Sequence, residues 1–210
     1  MAKASDDLRT LRTRKKIRTA LYQLVEAKGI SNISITDISV KAGINRGTFY
    51  LHYKDKYDLL EKIESEILEE LARYIRNADI QNIFDLEAQD KPFPFILSLF
   101  EYLRENGLLI KAILGPNGDP LFSGKLKFFI EFNLFKQTLS KELNKEYALI
   151  PAEYFFAYLL SAYLGVVEKW LEGGMEQSSE EMAMIITSMF FLGPFRAAGL
   201  DRSNKSEGMT

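Results

Sequence analysis

A short polar stretch in the first third of the chain carries the side chains best suited to contact nucleic acid. The guanidinium of Arg46 can donate two parallel hydrogen bonds to a guanine, a contact worth roughly 1–3 kcal/mol of discrimination. Asn45 and Thr48 could read a base or hold a phosphate, whereas Tyr50 and His52 are better suited to phosphates. The predicted DNA contacts are Thr36, Asn45, Arg46, Gly47, Thr48, Tyr50, His52 and Lys56.

Three members of this set are expected to act through the DNA backbone or through close approach to it. Gly47 has no side chain, so the main chain could come near the duplex there. Thr36 and Lys56 stand at the starts of two predicted helices, where helix amide groups also favour phosphate.

Other chemistries find little support in the residue types. His52 is the only histidine and the chain has no cysteine, so the usual metal and thiol ligands are missing. Acidic pairs such as Glu69-Glu70 are expected to be solvated helix faces. We therefore predict no catalytic residue, no metal site and no cofactor; the alternative for His52 is a side chain that is simply exposed or packed.

Two short helical patterns must position the polar residues. Ser34 followed three residues later by Asp37 is a variant of the capping box, and Gly43 supplies a tight turn. Asn45 then caps a third helix that is expected to end near Tyr53. The stretch from Ser34 to Tyr53 is thus predicted to be a helix-turn-helix, whose second helix fits the DNA major groove.

Charge is distributed unevenly along the chain. Residues 1–56 carry 12 Lys and Arg against 5 Asp and Glu, a net of +7, whereas the remaining residues carry 15 against 24, a net of −9. A polyanion would be attracted to the first part and repelled by the second. A solvated face is the alternative reading of such a charge run.

Nearly every segment of the chain reads as helix, so the predicted fold class is all-α with about nine helices. We expect a three-helix DNA-binding head, which contains the helix-turn-helix, to precede a larger helical core and dimerisation domain. Beyond the helix-turn-helix, the predicted helices are Thr13–Lys28, Asp55 to past Leu71, Pro92–Asn106, Leu108–Leu114, Leu121–Lys145, Pro151–Glu172, and one from Ser178 or Ser179 to about Gly193-Pro194. The predicted divisions are a flexible arm (1–12), a DNA-binding domain (13–56, the full head to about 72), a ligand-binding and dimerisation domain (57–198, with a polar connector at 76–91) and a disordered tail (199–210).

The order and spacing of residues from Arg14 to about Glu70 resemble the amino-terminal domain of the TetR family of transcriptional regulators. The resemblance rests on Ile17, Gly29, Ser34, Asp37, Ile38, Ala42-Gly43-Ile44, Gly47-Thr48, Tyr50, Tyr53, Lys54, Lys56 and Leu59-Leu60. Lys41 and Tyr53 depart mildly from the family pattern. Leu108–Gln137, with its GPNGDP turn, also resembles the carboxy-terminal domain of a Firmicutes group of this family. The resemblance implies an all-helical homodimer in which three helices bind DNA and a larger domain dimerises and holds an inducer.

The carboxy-terminal half is rich in aromatic residues. The segment 154–167 is apolar nearly all round, which predicts burial on several sides, and Gly165 would permit another backbone to approach. We therefore expect the last two helices to pair with their symmetry mates as a four-helix bundle. A ligand cavity is a further expectation, with ordinary core packing as the alternative for each of its candidate residues, Phe100, Phe129, Asn133, Tyr158 and Ser161.

These features predict a sequence-specific DNA-binding repressor of the cytoplasm that is released or modulated by an unidentified small-molecule effector. Its partners would be a near-palindromic double-stranded operator and a second copy of the chain, with no membrane involved. The alternatives are a TetR-like adaptor or co-activator that works through a partner protein, and, much less favoured, an enzyme.

Overall fold

The computed structural model describes residues 2–78, 91–134, 146 and 148–200, with side chains from residue 8 onward. The regular structure in these ranges is helical. No strand occurs in these ranges, which confirms the all-α fold class. The α-helices are α1 (Ala2–Lys28), α2 (Ile35–Ala42), α3 (Arg46–Tyr50), α4 (Lys56–Arg76), α5 (Pro94–Leu114), α6 (Pro120–Ile130), α7 (Ala152–Glu172) and α8 (Ser179–Ala197).

The extents of several helices differ from the sequence prediction. Helix α3 ends at Tyr50 rather than near Tyr53. Helix α1 begins at Ala2 rather than near Thr13, because the preceding residues contain neither proline nor glycine and are rich in helix-forming Ala, Leu, Lys and Arg. The two helices predicted around Gly107 form one continuous α5. A single glycine costs a helix only about 1 kcal/mol relative to alanine, and packing overrides that cost because Gly107 is buried.

Several predicted elements extend beyond the described residues. They are most of the 76–91 connector, the last part of the helix predicted to reach Lys145, and the tail from residue 201. In the described part of the chain, no helix combines the length and the apolar character needed to cross a membrane.

The chain forms two compact units. The first comprises residues 1–73 and 106–137, and the second comprises residues 74–105 and 138–210. The domain bounds that we predicted from the sequence stay a prediction.

The first unit contains the helix-turn-helix and the helices that support it. Its core is built from side chains of α1, α2, α3 and α4 with almost no exposed surface, among them Ile17, Leu21, Ile38, Phe49 and Leu59. This buried face fixes the orientation of α3 and leaves its opposite face in solvent.

Helix α6 and the turn before it also belong to the first unit. Lys125 Nζ on α6 lies 2.9 Å from Glu64 Oε2 on α4, and burial raises the pKa of the Glu64 carboxyl. The main-chain N–H of Ile30 donates to Asn117 O over 3.0 Å, and Asn117 Nδ2 donates to Glu26 O over 3.4 Å. In a continuing helix the Ile30 N–H would donate to Glu26 O. At the end of α1 Asn117 instead accepts from this N–H and donates to this oxygen.

The second unit holds α7 and α8 around an aromatic core. The rings of Phe100 and Trp170 meet edge to face, with centroids 5.2 Å apart. The guanidinium of Arg104 lies 5.5 Å from the centre of the Trp170 ring and donates to the main-chain oxygens of Met175 and Gln177. These contacts hold the short connection between α7 and α8.

Candidate nucleic-acid interface

Helix α2 begins with the capping box that the sequence predicts. Ser34 Oγ accepts from the Asp37 N–H over 3.1 Å, and the Ser34 N–H donates to Asp37 Oδ2 over 2.8 Å. The hydrogen bonds from Ser34, with help from Lys28 (its Nζ is 3.0 Å from Asp37 Oδ1), hold the pKa of the Asp37 carboxyl well below its usual range. The carboxylate is therefore charged at neutral pH and fixes the start of α2.

The turn between α2 and α3 depends on Gly43. Its φ of 63° and ψ of 41° lie in the left-handed region, which residues with a Cβ occupy only at an energetic cost. The next amide, that of Ile44, donates to Ser39 O over 3.0 Å and closes the turn. The predicted helix-turn-helix is confirmed in its caps and its turn.

Helix α3 is short and is capped by Asn45. Asn45 Oδ1 accepts from the Gly47 N–H over 2.9 Å, so this oxygen is occupied in positioning the helix. Phe49 is fully buried and packs on Tyr53, which is 3% exposed, with ring centroids 5.7 Å apart. These two rings form the inner face of the helix, and they rotate the polar residues of α3 outward.

The outward face of α3 brings the predicted contacts together. Thr48 and His52 are half-buried, and the remaining members of α3 and its cap are exposed to solvent, namely Asn45, Arg46, Gly47 and Tyr50. Thr36 is exposed on α2. Together α3 and the residues that flank it provide one guanidinium (Arg46), an amide and a hydroxyl side chain (Asn45 and Thr48) and two ring-bearing side chains (Tyr50 and His52).

The prediction omitted one residue of this surface, Leu51. It is 82% exposed at the end of α3, where an apolar side chain could contact a thymine methyl group. Leu51 has no polar group to suggest a DNA contact, although the inward positions of Phe49 and Tyr53 already indicate that Leu51 points outward.

The histidine at the end of α3 is close to a cation of α1. Partial burial, and then the charge of Arg14, lower the pKa of the His52 imidazole. The ring is therefore predominantly neutral at pH 7, and as a neutral ring it can still donate one hydrogen bond to a phosphate.

Lys56 has a structural role in addition to the predicted one. Its ammonium donates to three main-chain oxygens in the connection between α1 and α2, those of Ile30 (3.0 Å), Ser31 (2.9 Å) and Ile33 (2.9 Å). An ammonium has three donors, so all of them are occupied. Its contact with a DNA phosphate stays a prediction, and binding there would have to displace one of these bonds.

Replacing Lys56 with methionine should lower the free energy of unfolding by about 1.5–3 kcal/mol, because three carbonyls lose a charged donor. The shift in the midpoint of urea unfolding would measure it. Lys54→Met is the matched control, since the Lys54 side chain is exposed, and it should change stability by less than about 0.5 kcal/mol. Equal midpoints for the two variants would show that the three bonds contribute nothing.

The candidate ligand residues lie in different units. Phe100, Tyr158 and Ser161 belong to the second unit, whereas Phe129 and Asn133 belong to the first. Phe100 is buried, Tyr158 and Ser161 are exposed, and Asn133 Nδ2 donates to Phe129 O over 2.9 Å. Their role in binding a ligand stays a prediction.

Comparison with known proteins gives two family matches. Residues 17–63 match the model of the bacterial regulatory proteins of the tetR family, and residues 90–191 match a model described as a transcriptional regulator C-terminal region. The matches confirm the resemblance in both parts of the chain.

Individual relatives agree with these matches. The chain is 28% identical over 181 residues to the HTH-type transcriptional repressor BepR of Brucella suis, covering 77% of this chain and 81% of BepR. It is 33% identical over 93 residues to the uncharacterized HTH-type transcriptional regulator YxbF of Bacillus subtilis, covering 44% of this chain but only 24% of YxbF.

A solved structure shares the fold. The TetR transcriptional regulator from Streptococcus agalactiae aligns over 89% of this chain and 98% of its own, with a TM-score of 0.57 and 20% sequence identity. With the helix-turn-helix geometry and the two family matches, the chain belongs to the TetR family of DNA-binding bacterial transcriptional regulators.

Proposed function

We propose that this regulator is a repressor that binds a near-palindromic operator as a homodimer and responds to a small-molecule effector. The exposed polar face of α3, held by the capped helix-turn-helix, is the observation that carries the proposal. Regulators of this family bind operators and effectors, typically as dimers. The relative BepR is named as a transcriptional repressor, which supports repression rather than activation as the proposed mode of regulation.

In the proposed complex, α3 enters the major groove, and its side chains and their neighbours contact either bases or phosphates. Arg46 contacts a base edge, since its guanidinium is exposed and no described acidic side chain pairs with it. Thr36, Tyr50 and His52 hold phosphates on either side. Asn45 contributes through its amide nitrogen, because its oxygen caps the helix.

The dimer interface is proposed to lie on α7 and α8. In the second unit these helices border a groove of about 510 Å³ whose lining includes Ala162, Gly165, Val166 and Ile185. A Cβ added at Gly165 would meet no atom within 4 Å, so there is room for another backbone. Apolar side chains exposed on the two helices, such as Phe195 at 75%, support burial against a second copy.

Replacing Ile185 with glutamate should convert the dimer to monomer, because a charge in a desolvated apolar interface has no partner. Ile185 is 37% exposed on α8, so the monomer should tolerate the change. Sedimentation at several protein concentrations would measure the mass. Leu121→Glu, on the exposed face of α6 in the first unit, should leave the dimer intact. If both variants stay dimeric, the interface lies elsewhere.

The effector is proposed to be an apolar or aromatic molecule with one or two hydrogen-bonding groups. The candidate ligand residues named from the sequence stay predictions. A ligand of this kind would bind more tightly to the dimer conformation with one separation of the two DNA-binding heads than to the conformation with another separation. We propose no catalytic activity, and we place the protein in the cytoplasm with its operator DNA.

The test of the proposed function is selection of duplexes from a random-sequence library by the purified protein alone. Enrichment of a near-palindromic sequence with half-sites about one helical turn apart is expected, and a gel shift should weaken steeply as salt rises. Failure to enrich any sequence would favour a protein that works through a partner and would refute direct operator binding.

A further inference from the structure

A trough with a basic rim lies between α1 and α2 in the first unit. Its volume is about 420 Å³, and its floor includes Ala20 of α1 and Ala42 of α2. Four exposed cations line it, three from α1 and one from α2, namely Arg12, Lys15, Lys16 and Lys41.

These four cations have no acidic partner among the described residues, although other basic side chains do. Lys28 pairs with Asp37, and Lys62 pairs with Asp58. No acidic side chain lines the trough. Like charges at three- and four-residue spacing on a helix repel one another, so the trough has an unbalanced positive field that an anion would relieve.

The trough lies on a different side of α2 from the proposed DNA-reading face. Lys41 is five residues after Thr36, which places it about 140° away around the helix axis. The two side chains therefore face different directions. Any phosphates that the trough holds must differ from those beside Thr36.

Helix α1 carries basic side chains near the reading face as well as in the trough. Arg14 comes close enough to His52 at the end of α3 to lower the pKa of that imidazole. Arg12 and Lys16 are one turn apart on α1, about 6 Å along its axis. That length of DNA axis carries about two phosphates per strand. Arg14 lies between Arg12 and Lys16 in the sequence and about 200° from each around the helix axis, so α1 presents positive charge both to the reading face and to the trough.

We propose that this trough binds the sugar–phosphate backbone of operator DNA outside the two half-sites that α3 contacts. The proposal rests on the proposed function and extends it to the flanking duplex. Because phosphates carry no sequence information, the protein requires flanks of sufficient length but of any sequence. An acidic segment of another protein is the competing occupant, and the experiment separates the two.

The experiment uses the full-length protein and the operator that wild type selects from the random library. The operator is made in a short form that ends at the outer base of each half-site. The long form adds about ten base pairs to each side, about one helical turn, with either of two unrelated flank sequences. Affinity is measured by fluorescence anisotropy over a series of salt concentrations for wild type and for Lys15→Gln/Lys41→Gln, which removes one cation from each helix.

Wild type should bind both long duplexes equally well and more tightly than the short one. In the double variant, affinity for the long duplexes should fall at least about tenfold near 0.15 M salt, and the slope of log affinity against log salt should become shallower by about 1.8 for each trough engaged. Its affinity for the short duplex should be unchanged. The control Lys91→Gln/Lys127→Gln removes two exposed lysines elsewhere and should behave as wild type on every duplex.

Three outcomes would overturn the proposal. An equal loss on short and long duplexes would place the two lysines within the half-site. No loss on either duplex would assign the trough to a different occupant, such as an acidic protein segment. If wild type selects no operator at all, the proposed function itself fails, and the flank contact fails with it.

Discussion

Arg46→Ala should reduce affinity for the selected operator by about thirtyfold or more, while binding to random DNA changes little. A bidentate contact to a guanine contributes roughly 1–3 kcal/mol, and the homodimer loses one such contact in each half-site, about 2–6 kcal/mol in all. Arg46 is the first residue of α3, it is exposed, and its neighbour Phe49 holds the helix from the buried side. The same substitution should relax the base preference at one position of each half-site, which a repeated selection with the variant would reveal.

The control for this prediction is Arg76→Ala. Arg76 is an exposed arginine at the end of α4, so the two variants lose the same charge in different places. Arg76→Ala should retain the affinity and the base preference of wild type. If Arg46→Ala weakens selected and random duplexes by the same factor, Arg46 contacts only the backbone and the reading of bases must be assigned to other residues.

Gly118→Ala should lower the free energy of unfolding by about 3 kcal/mol or more. A Cβ at this position would lie 2.0 Å from Ile113 O and 2.5 Å from Ala112 O. Both are main-chain atoms of α5 that cannot move aside as a flexible side chain can, so the turn must rearrange. Rearrangement would also displace Asn117 from the end of α1.

The measurement is the midpoint of urea unfolding at a fixed protein concentration, with Gly124→Ala as the matched control. Gly124 lies inside α6, and a Cβ there meets nothing within 4 Å. Alanine should therefore stabilise that helix by about 0.5–1 kcal/mol. If Gly118→Ala unfolds at the same urea concentration as Gly124→Ala, the steric argument is wrong.

The amino-terminal head could be predicted closely because its signals are local. Ser34 and Asp37 are three residues apart, and the glycine at position 43 stands where the turn requires a positive φ. Such caps act within one helical turn, so the sequence alone contains both partners of each interaction. The buried face of Phe49 and Tyr53 follows from helical spacing in the same way.

The ends of helices were less predictable than their existence, because a helix continues as long as its residues pack well, whether or not a capping residue marks its start. The first helix runs back to Ala2, and α5 continues through Gly107 because that residue is packed. Propensity differences of about 1 kcal/mol per residue are too small to decide such cases against tertiary packing.

The helix-turn-helix, its caps and the identity of the side chains on α3 follow from the sequence alone, because each depends on residues within a few positions of one another. The roles of Lys56 and Asn117 depend on tertiary packing. Lys56 donates to carbonyls 23 to 26 residues earlier, and Asn117 reaches a carbonyl 91 residues earlier. The basic trough likewise exists only because α1 and α2 pack together. Contacts between residues so far apart in the chain depend on how helices pack, and no local pattern encodes them.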